Sequence, residues 1–309
     1  MKIMFNRKVV EGPWGGGNLF VKEMSNYLIQ KNHEVCFDFE EGIDIIFMVD
    51  PRPIDRSEGY SIDDIIDYGS KHPDTEIVHR INECDQRKGT SFMDSLLLES
   101  NTIADHTVFI SEWLADYFMA LGFDREYDVV YNGCNLSHFF PSEESRLSED
   151  SPIRLVTHHW SDNWMKGFDL YNALDNLGRD DIEFAYVGRY NSDYHPKNTR
   201  IVSPLHGEQL GAELRKHDVY VTASRFEPCG MHHIEGSASG LPILYHRDGG
   251  GINELCKNHG IEFYDMDSFL VGLDEIVSNY DNYVQNIDYT YLSSDRMCKD
   301  YFEPLKDMM

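Results

Sequence analysis

The sequence predicts an α/β protein built from two doubly wound, Rossmann-like halves, and three observations carry that expectation. Short apolar runs of strand length alternate from the first residue with longer segments of helical spacing, the pattern of a parallel sheet covered by helices on both faces. The alternation stops at an acidic, Ser-rich stretch, Ser142 to Pro152, and begins again at Ile153. The 309 residues suffice for two domains of ordinary size, and 41% apolar with 13% aromatic residues provides material for packed layers in each.

In the first half, Lys2 to Phe5 reads as a strand, Asn18 to Lys31 as a helix, and Glu34 to Asp38 and Ile43 to Asp50 as strands. A helix from Ser61, a strand at Glu76 to Ile81, a helix through Ser91 to Ala104 and a strand at His106 to Ser111 follow. A helix at Glu112 to Leu121 and a short strand at Asp128 to Tyr131 complete this half. The second half repeats the theme: strands at Ile153 to His158, Glu183 to Val187, Arg200 to Val202, Asp218 to Ser224, Ile243 to Tyr245 and Ile261 to Tyr264. Helices are expected after Gly167, at Glu208 to His217, from Gly230 and near Ile252 to Lys257. A final helix spans Ser293 to Leu305, where Met297, Tyr301 and Leu305 share helical spacing. The expected divisions are residues 1–138, 139–290 and a terminal helical segment 291–309.

A formal charge of −27 sets the field around the molecule, which repels nucleic acid and an anionic membrane leaflet alike. The longest apolar run, Ile45 to Val49, is far too short to cross a bilayer, and Met1 to Lys8 turns polar too soon for a signal peptide. The six cysteines have no paired spacing, which fits reduced thiols in a cytoplasmic setting. No nucleic-acid partner, no membrane span and a cytoplasmic location are therefore expected.

The chemistry concentrates in Phe226-Glu-Pro-Cys-Gly-Met-His-His-Ile-Glu-Gly-Ser-Ala-Ser-Gly-Leu-Pro242. Pro228 disfavours helix at the residue before it, so Glu227 belongs to the loop leaving a strand. Gly230 opens a helix, placing Glu235 just past its first turn with the free N–H groups of Cys229, Gly230, Met231 and His232 nearby. Two carboxylates thus bracket a helix N-terminus. The N-terminus favours an anion, and carboxylates accept hydrogen bonds from vicinal hydroxyls, so phosphate joined to a sugar is the implied ligand.

This stretch resembles the donor-site signature of glycosyltransferase family 4, retaining enzymes of the GT-B fold, down to Gly236, Ala238, Gly240 and Leu241-Pro242. Asn132-Gly-Cys-Asn-Leu-Ser-His-Phe-Phe-Pro141 looks like that family's inter-domain segment, and the last helix like its terminal helix crossing back to the first domain. The resemblance implies two Rossmann-like domains facing across a cleft, with Glu227 meeting hydroxyls of the donor sugar and Glu235 the ribose of the nucleotide.

Further residues enter on the same footing. Lys166-Gly167 matches the family's Lys-Gly, which makes Lys166 the cation for the diphosphate leaving group. The family's preceding Arg is missing; His158, His159 and Trp160 stand near its place, and Arg189 is either a substitute or an ordinary strand-end arginine. Gly15, Gly16 and Gly17, between the first strand and first helix, form either a flexible surface turn or backbone that approaches the diphosphate. His79 sits where the family carries a sugar-contacting His, or is simply a structural polar residue. Glu83 to Gly89 reads as an exposed loop of mixed charge in preference to a site where Arg87 and Lys88 meet an anionic acceptor. Asp265-Met-Asp267 is a helix cap rather than a metal pair, and adjacent His232 and His233 point to different sides, so no metal site is expected.

The resemblance thus implies a metal-independent retaining glycosyltransferase without cofactor. It would move a hexose from a nucleotide diphosphate sugar to a hydroxyl acceptor, a glycan ahead of a lipid-linked or small-molecule one. Two rivals share the fold: a nucleotide-sugar epimerase, which needs a base placed to take a carbon-bound proton, and a non-catalytic sugar-nucleotide or glycan-binding module, suggested by the missing Arg.

Overall fold

The computed structural model describes residues 1–12, 14–143, 147 and 151–307. The chain divides into two compact units, one comprising Met1–Tyr131 with the segment from Met297 on, the other Asn132–Arg296.

Unit 1 contains β1 (Lys2–Phe5), α1 (Gly16–Gln30), β2 (Glu34–Cys36), β3 (Ile45–Met48), α2 (Ile62–Gly69), β4 (Glu76–Ile81), α3 (Asp85–Lys88), α4 (Met93–Asn101), β5 (His106–Phe109), α5 (Glu112–Ala120) and β6 (Asp128–Val129). Its sheet runs β2-β1-β3-β4-β5-β6 with every pairing parallel, Ile3 opposite Ile45 and Val78 opposite His106. Inner strands such as β3 are buried at each residue, as helices on both faces require. Phe5 stacks on Phe47 at 5.0 Å between ring centres, and Phe20 meets Tyr301 at 4.8 Å. Arg80 is buried among these rings, its guanidinium 4.2 Å from the centre of Phe20 and its Nε 3.1 Å from the Tyr301 hydroxyl.

Unit 2 contains β7 (Ile153–His159), a 3₁₀ turn (Trp164–Lys166), α6 (Phe168–Asp175), β8 (Ile182–Gly188), β9 (Arg200–Val202), α7 (Gly207–Leu214), β10 (Val219–Thr222) and α8 (Met231–Ala238). There follow β11 (Ile243–His246), α9 (Gly251–Cys256), β12 (Gly260–Phe263), α10 (Met266–Ser278) and α11 (Tyr280–Gln285), after which α12 (Ser294–Asp307) begins in unit 2 and runs on into unit 1. Its parallel sheet has the order β12-β11-β10-β7-β8-β9. Counted within the unit from the β9 edge, the strands run third, second, first, fourth, fifth, sixth, the Rossmann order. The order reverses between β7 and β10, where ligands of such sheets bind beyond the carboxyl ends of the strands.

Several boundaries differ from the sequence reading. The expected division after residue 138 lies at Tyr131. The Asn-Gly segment bonds within unit 2: Asn132 Nδ2 donates to the Cys229 carbonyl at 2.7 Å, Cys134 N to Leu292 O at 2.8 Å, and Arg215 Nη1 to His138 O at 3.0 Å. Residues 291–296 stay with unit 2, and α12 joins unit 1 only from Met297, where Met297, Cys298, Tyr301, Phe302 and Leu305 enter its core. Glu83 to Gly89, read as an exposed loop, instead contains α3 with Arg87 buried. Asp265 does cap α10, accepting from Ser268 N at 2.8 Å. No disulfide joins the six cysteines, five of which are buried. Among the described residues, no helix is long and apolar enough to cross a membrane.

Candidate functional site

Beyond β10 the chain turns sharply to present Glu227. Phe226 holds a left-handed backbone, φ 53°, which costs a residue with a side chain about 1–2 kcal/mol. Three backbone bonds to the loop after β11 hold that conformation: Phe226 N to Asp248 O at 2.7 Å, Glu227 N to Gly249 O at 3.2 Å and Gly251 N to Glu227 O at 3.0 Å. Glu227 is therefore clasped between two loops rather than carried on a free one.

Lys166 ends the 3₁₀ turn that follows β7. The next residue must be glycine, because Gly167 has φ 92° and a Cβ there would lie 2.3 Å from Ala223 on the loop after β10. This close approach brings Lys166 Nζ to 2.6 Å from Glu227 Oε2, with both side chains largely buried at 8% and 13% exposure. Desolvation offsets much of the attraction in such a pair, so its main effect is to fix the two groups relative to each other.

Gly230 is the N-cap of α8, and the amides of Gly230, Met231 and His232 donate to no acceptor among the described residues. These unpaired N–H groups and the helix dipole make a positive end. The neighbouring Cys229 is buried, with its carbonyl held by Asn132. One turn later Glu235 is 6% exposed, and His158 Nε2 lies 2.8 Å from its Oε2. The Tyr220 hydroxyl lies 3.1 Å from His158 Nδ1 and also accepts from His158 N at 3.1 Å. Gly236 allows this arrangement, since a Cβ there would meet the Tyr220 ring at 2.5 Å.

More histidines line this end of the sheet. His232 is 2.9 Å from Thr222 Oγ1, and burial holds it well below its ordinary pKa. Burial likewise drives His233 down to about 3, so both rings are neutral near pH 7. His159 Nε2 lies 2.8 Å from the Tyr171 hydroxyl.

Lys166, Glu227, Glu235, Cys229, Gly230 and Met231 thus converge beside the strand-order reversal of unit 2. Arg189 sits further out, half exposed, with its guanidinium 5.1 Å from the centre of the Trp160 ring and 3.8 Å from Asp162. Among the described residues, these guanidinium contacts are with the segment after β7 and none is with α8. In unit 1, Gly15 is the N-cap of α1, and Gly16 and Gly17 form its first residues, so the helix starts two residues earlier than expected. A Cβ on Gly15 would meet nothing within 4 Å. Asn18 ties this turn down by bonding the Val10 backbone twice, at 2.8 and 2.9 Å. His79 is wholly buried on β4, its Nδ1 3.3 Å from Asn101 Oδ1, and burial lowers its pKa to about 4. Among the described residues, no cluster of three or more His, Cys, Asp or Glu side chains is placed to hold a metal ion.

Sequence reasoning missed the role of His158 and Tyr220. The available signal was the run His158-His159 standing near an absent Arg just before the Lys-Gly pair.

The family model described as "Glycosyl transferases group 1" matches residues 180–292. Sucrose-phosphate synthase from Thermosynechococcus elongatus aligns at 14% identity over 99% of this chain and 98% of its own, with a TM-score of 0.73. HepE from Anabaena, in complex with UDP and glucose, aligns at 13% identity over 99% of both chains, with a TM-score of 0.73. The lipopolysaccharide outer core galactosyltransferase WaaB aligns at 14% identity over the full length of both, with a TM-score of 0.70. The fold is thus the GT-B fold of these glycosyltransferases. No curated protein matches the chain in sequence.

Proposed function

We propose that this protein is a retaining glycosyltransferase that moves a hexose from a nucleoside diphosphate sugar to a hydroxyl of a glycan acceptor. The observation that carries this reading is the arrangement around α8. A cation, Lys166, and a free helix N-terminus lie between two carboxylates, Glu227 and Glu235, beyond the carboxyl ends of β7 and β10. The match to group 1 glycosyl transferases over residues 180–292, which include α8, and the UDP bound by the similar HepE support a nucleotide sugar as donor.

In this scheme Glu235 accepts from the ribose hydroxyls, and the α8 amides and Lys166 face the diphosphate. Glu227 accepts from hydroxyls of the sugar. The acceptor oxygen bonds to the anomeric carbon as the bond from that carbon to the phosphate oxygen breaks. The bonding pair departs with the diphosphate, whose oxygen takes the acceptor proton on the same face. Lys166 and the amides stabilise the charge that develops there, the electrostatic help expected to count most. No protein nucleophile is called for.

Calorimetric titration with UDP, GDP, ADP and their common sugar conjugates tests the reading. One nucleotide class should bind. Glu235→Ala should weaken it ten-fold or more, since a charge-assisted hydrogen bond is worth about 1.5–3 kcal/mol. Absence of binding by every nucleotide would overturn the proposal.

A further inference from the structure

We propose that His158, with its imidazole oriented by Tyr220, is a positioning residue that sets the Glu235 carboxylate for recognition of a ribose diol. The inference rests on the donor reading above and adds to it the residues that prepare Glu235.

The hydrogen placement follows from chemistry. An ionised carboxylate has no proton to give, so the His158 Nε2 that lies 2.8 Å from Glu235 Oε2 must carry one. With Nε2–H turned to Glu235, Nδ1 is the ring's acceptor, and the Tyr220 hydroxyl is its donor at 3.1 Å, nearer than the His158 carbonyl, which lies 3.4 Å from the same hydroxyl. That hydroxyl is held in turn by the His158 backbone N–H at 3.1 Å. The chain Tyr220 to His158 to Glu235 therefore runs in one direction, with each donor matched to an acceptor. It crosses the β7–β10 pairing and ends on α8.

One oxygen of Glu235 is thereby occupied and the other is left over: among the described residues, His158 is the only side-chain partner of this carboxylate. A buried glutamate with one oxygen pinned keeps its side-chain torsions fixed before a ligand arrives, which lowers the ordering cost of binding. An arginine at this place would engage both oxygens as a fork and leave less acceptor capacity for hydroxyls. The imidazole engages one.

The two ring nitrogens can be separated by substitution. Glutamine places an amide nitrogen near the position of Nε2 and keeps a donor toward Glu235; asparagine reaches only the Nδ1 side. The assay compares affinities for UDP, GDP and ADP with those for their 2′,3′-dideoxy forms in the intact protein. The unmodified protein should prefer the ribo form of its nucleotide by about ten-fold or more, the equivalent of one charge-assisted bond. In His158→Asn that preference should fall to about two-fold, while His158→Gln should retain most of it. Tyr220→Phe keeps the ring against Gly236 and should lower the preference part of the way, which gives a second readout should His158→Asn not fold.

A full ribo preference in folded His158→Asn and in Tyr220→Phe would overturn the positioning role and leave the donor reading intact. Nucleotide binding without ribo preference in the unmodified protein would remove the assignment of Glu235 to ribose and this inference with it. No nucleotide binding at all would overturn both.

Discussion

His79 in unit 1 and His158 in unit 2 are both buried on inner strands of parallel sheets, and their partners separate them. His79 faces an amide, Asn101, which is itself bonded to Thr107 at 2.8 and 3.0 Å. His158 stands between a phenol and a carboxylate. The contrast extends to the units. Unit 1 fills its interior with Phe5, Phe20, Phe47 and Tyr301 and encloses one guanidinium among the rings. Unit 2 gathers Lys166, Glu235, His158, His159, His232 and His233 in buried positions at one end of its sheet. Buried ionisable groups weaken a core unless each has a partner, so unit 2 carries at its strand-order reversal a burden that the ring-filled interior of unit 1 largely avoids.

Acidification should sharpen this comparison most. Burial lowers His217 and His259 to about 4 and His233 to about 3 in unit 2, whereas in unit 1 His79 falls to about 4. With folded values below the unfolded 6.5, these groups support folding above pH 6.5, and that support is lost as pH falls toward 4, where the unfolded chain binds more protons. Moving from pH 7 to pH 5 should cost about 2 kcal/mol per such histidine, hence several times more in unit 2 than in unit 1. Hydrogen exchange resolved along the sequence at the two pH values measures this. Equal loss of protection in both units would break the comparison.

Lys166→Ala comes next. On the proposed mechanism it should lower turnover about 100-fold or more, because the charge assigned there to the leaving group is removed. It should also destabilise unit 2 by about 3 kcal/mol, because Glu227 is left buried without its cation. Initial rates and denaturant midpoints report the two effects, and a rate within a few-fold of the parent would exclude Lys166 from the chemistry. The smallest effect is expected in unit 1. His79→Leu should change stability by about 1 kcal/mol and leave nucleotide affinity unchanged, while flattening the response of unit 1 to acid. A large loss of nucleotide affinity in this variant would show that His79 belongs to the site despite its burial.

The alternation of strand and helix made both sheets legible, and Pro228 and Gly230 placed the start of α8 to the residue. Lys166 and Glu227, singled out for separate reasons, proved to be one ion pair. His158 was not legible because its partners lie 62 and 77 positions away, and only the pairing of β7 with β10 brings them within reach. Alternation gives strands without their order, and order is what selects the neighbours of a side chain. The unit boundary was misplaced for a related reason. Asn132 to Pro141 has the composition of a linker, but its hydrogen bonds run to Cys229, Leu292 and Arg215.

The passage of α12 into the core of unit 1 has a consequence for synthesis. Unit 2 is continuous in sequence and has all its residues once Arg296 is made, whereas unit 1 waits for Met297, Tyr301 and Leu305 after its first 131 residues have been translated. At ordinary translation speeds that interval is on the order of ten seconds. Through it the rings of Phe20 and Phe47 lack their Tyr301 neighbour, so a released chain ending at Arg296 should be cut by protease in its first unit and resist in its second. The half of the molecule made first is completed last.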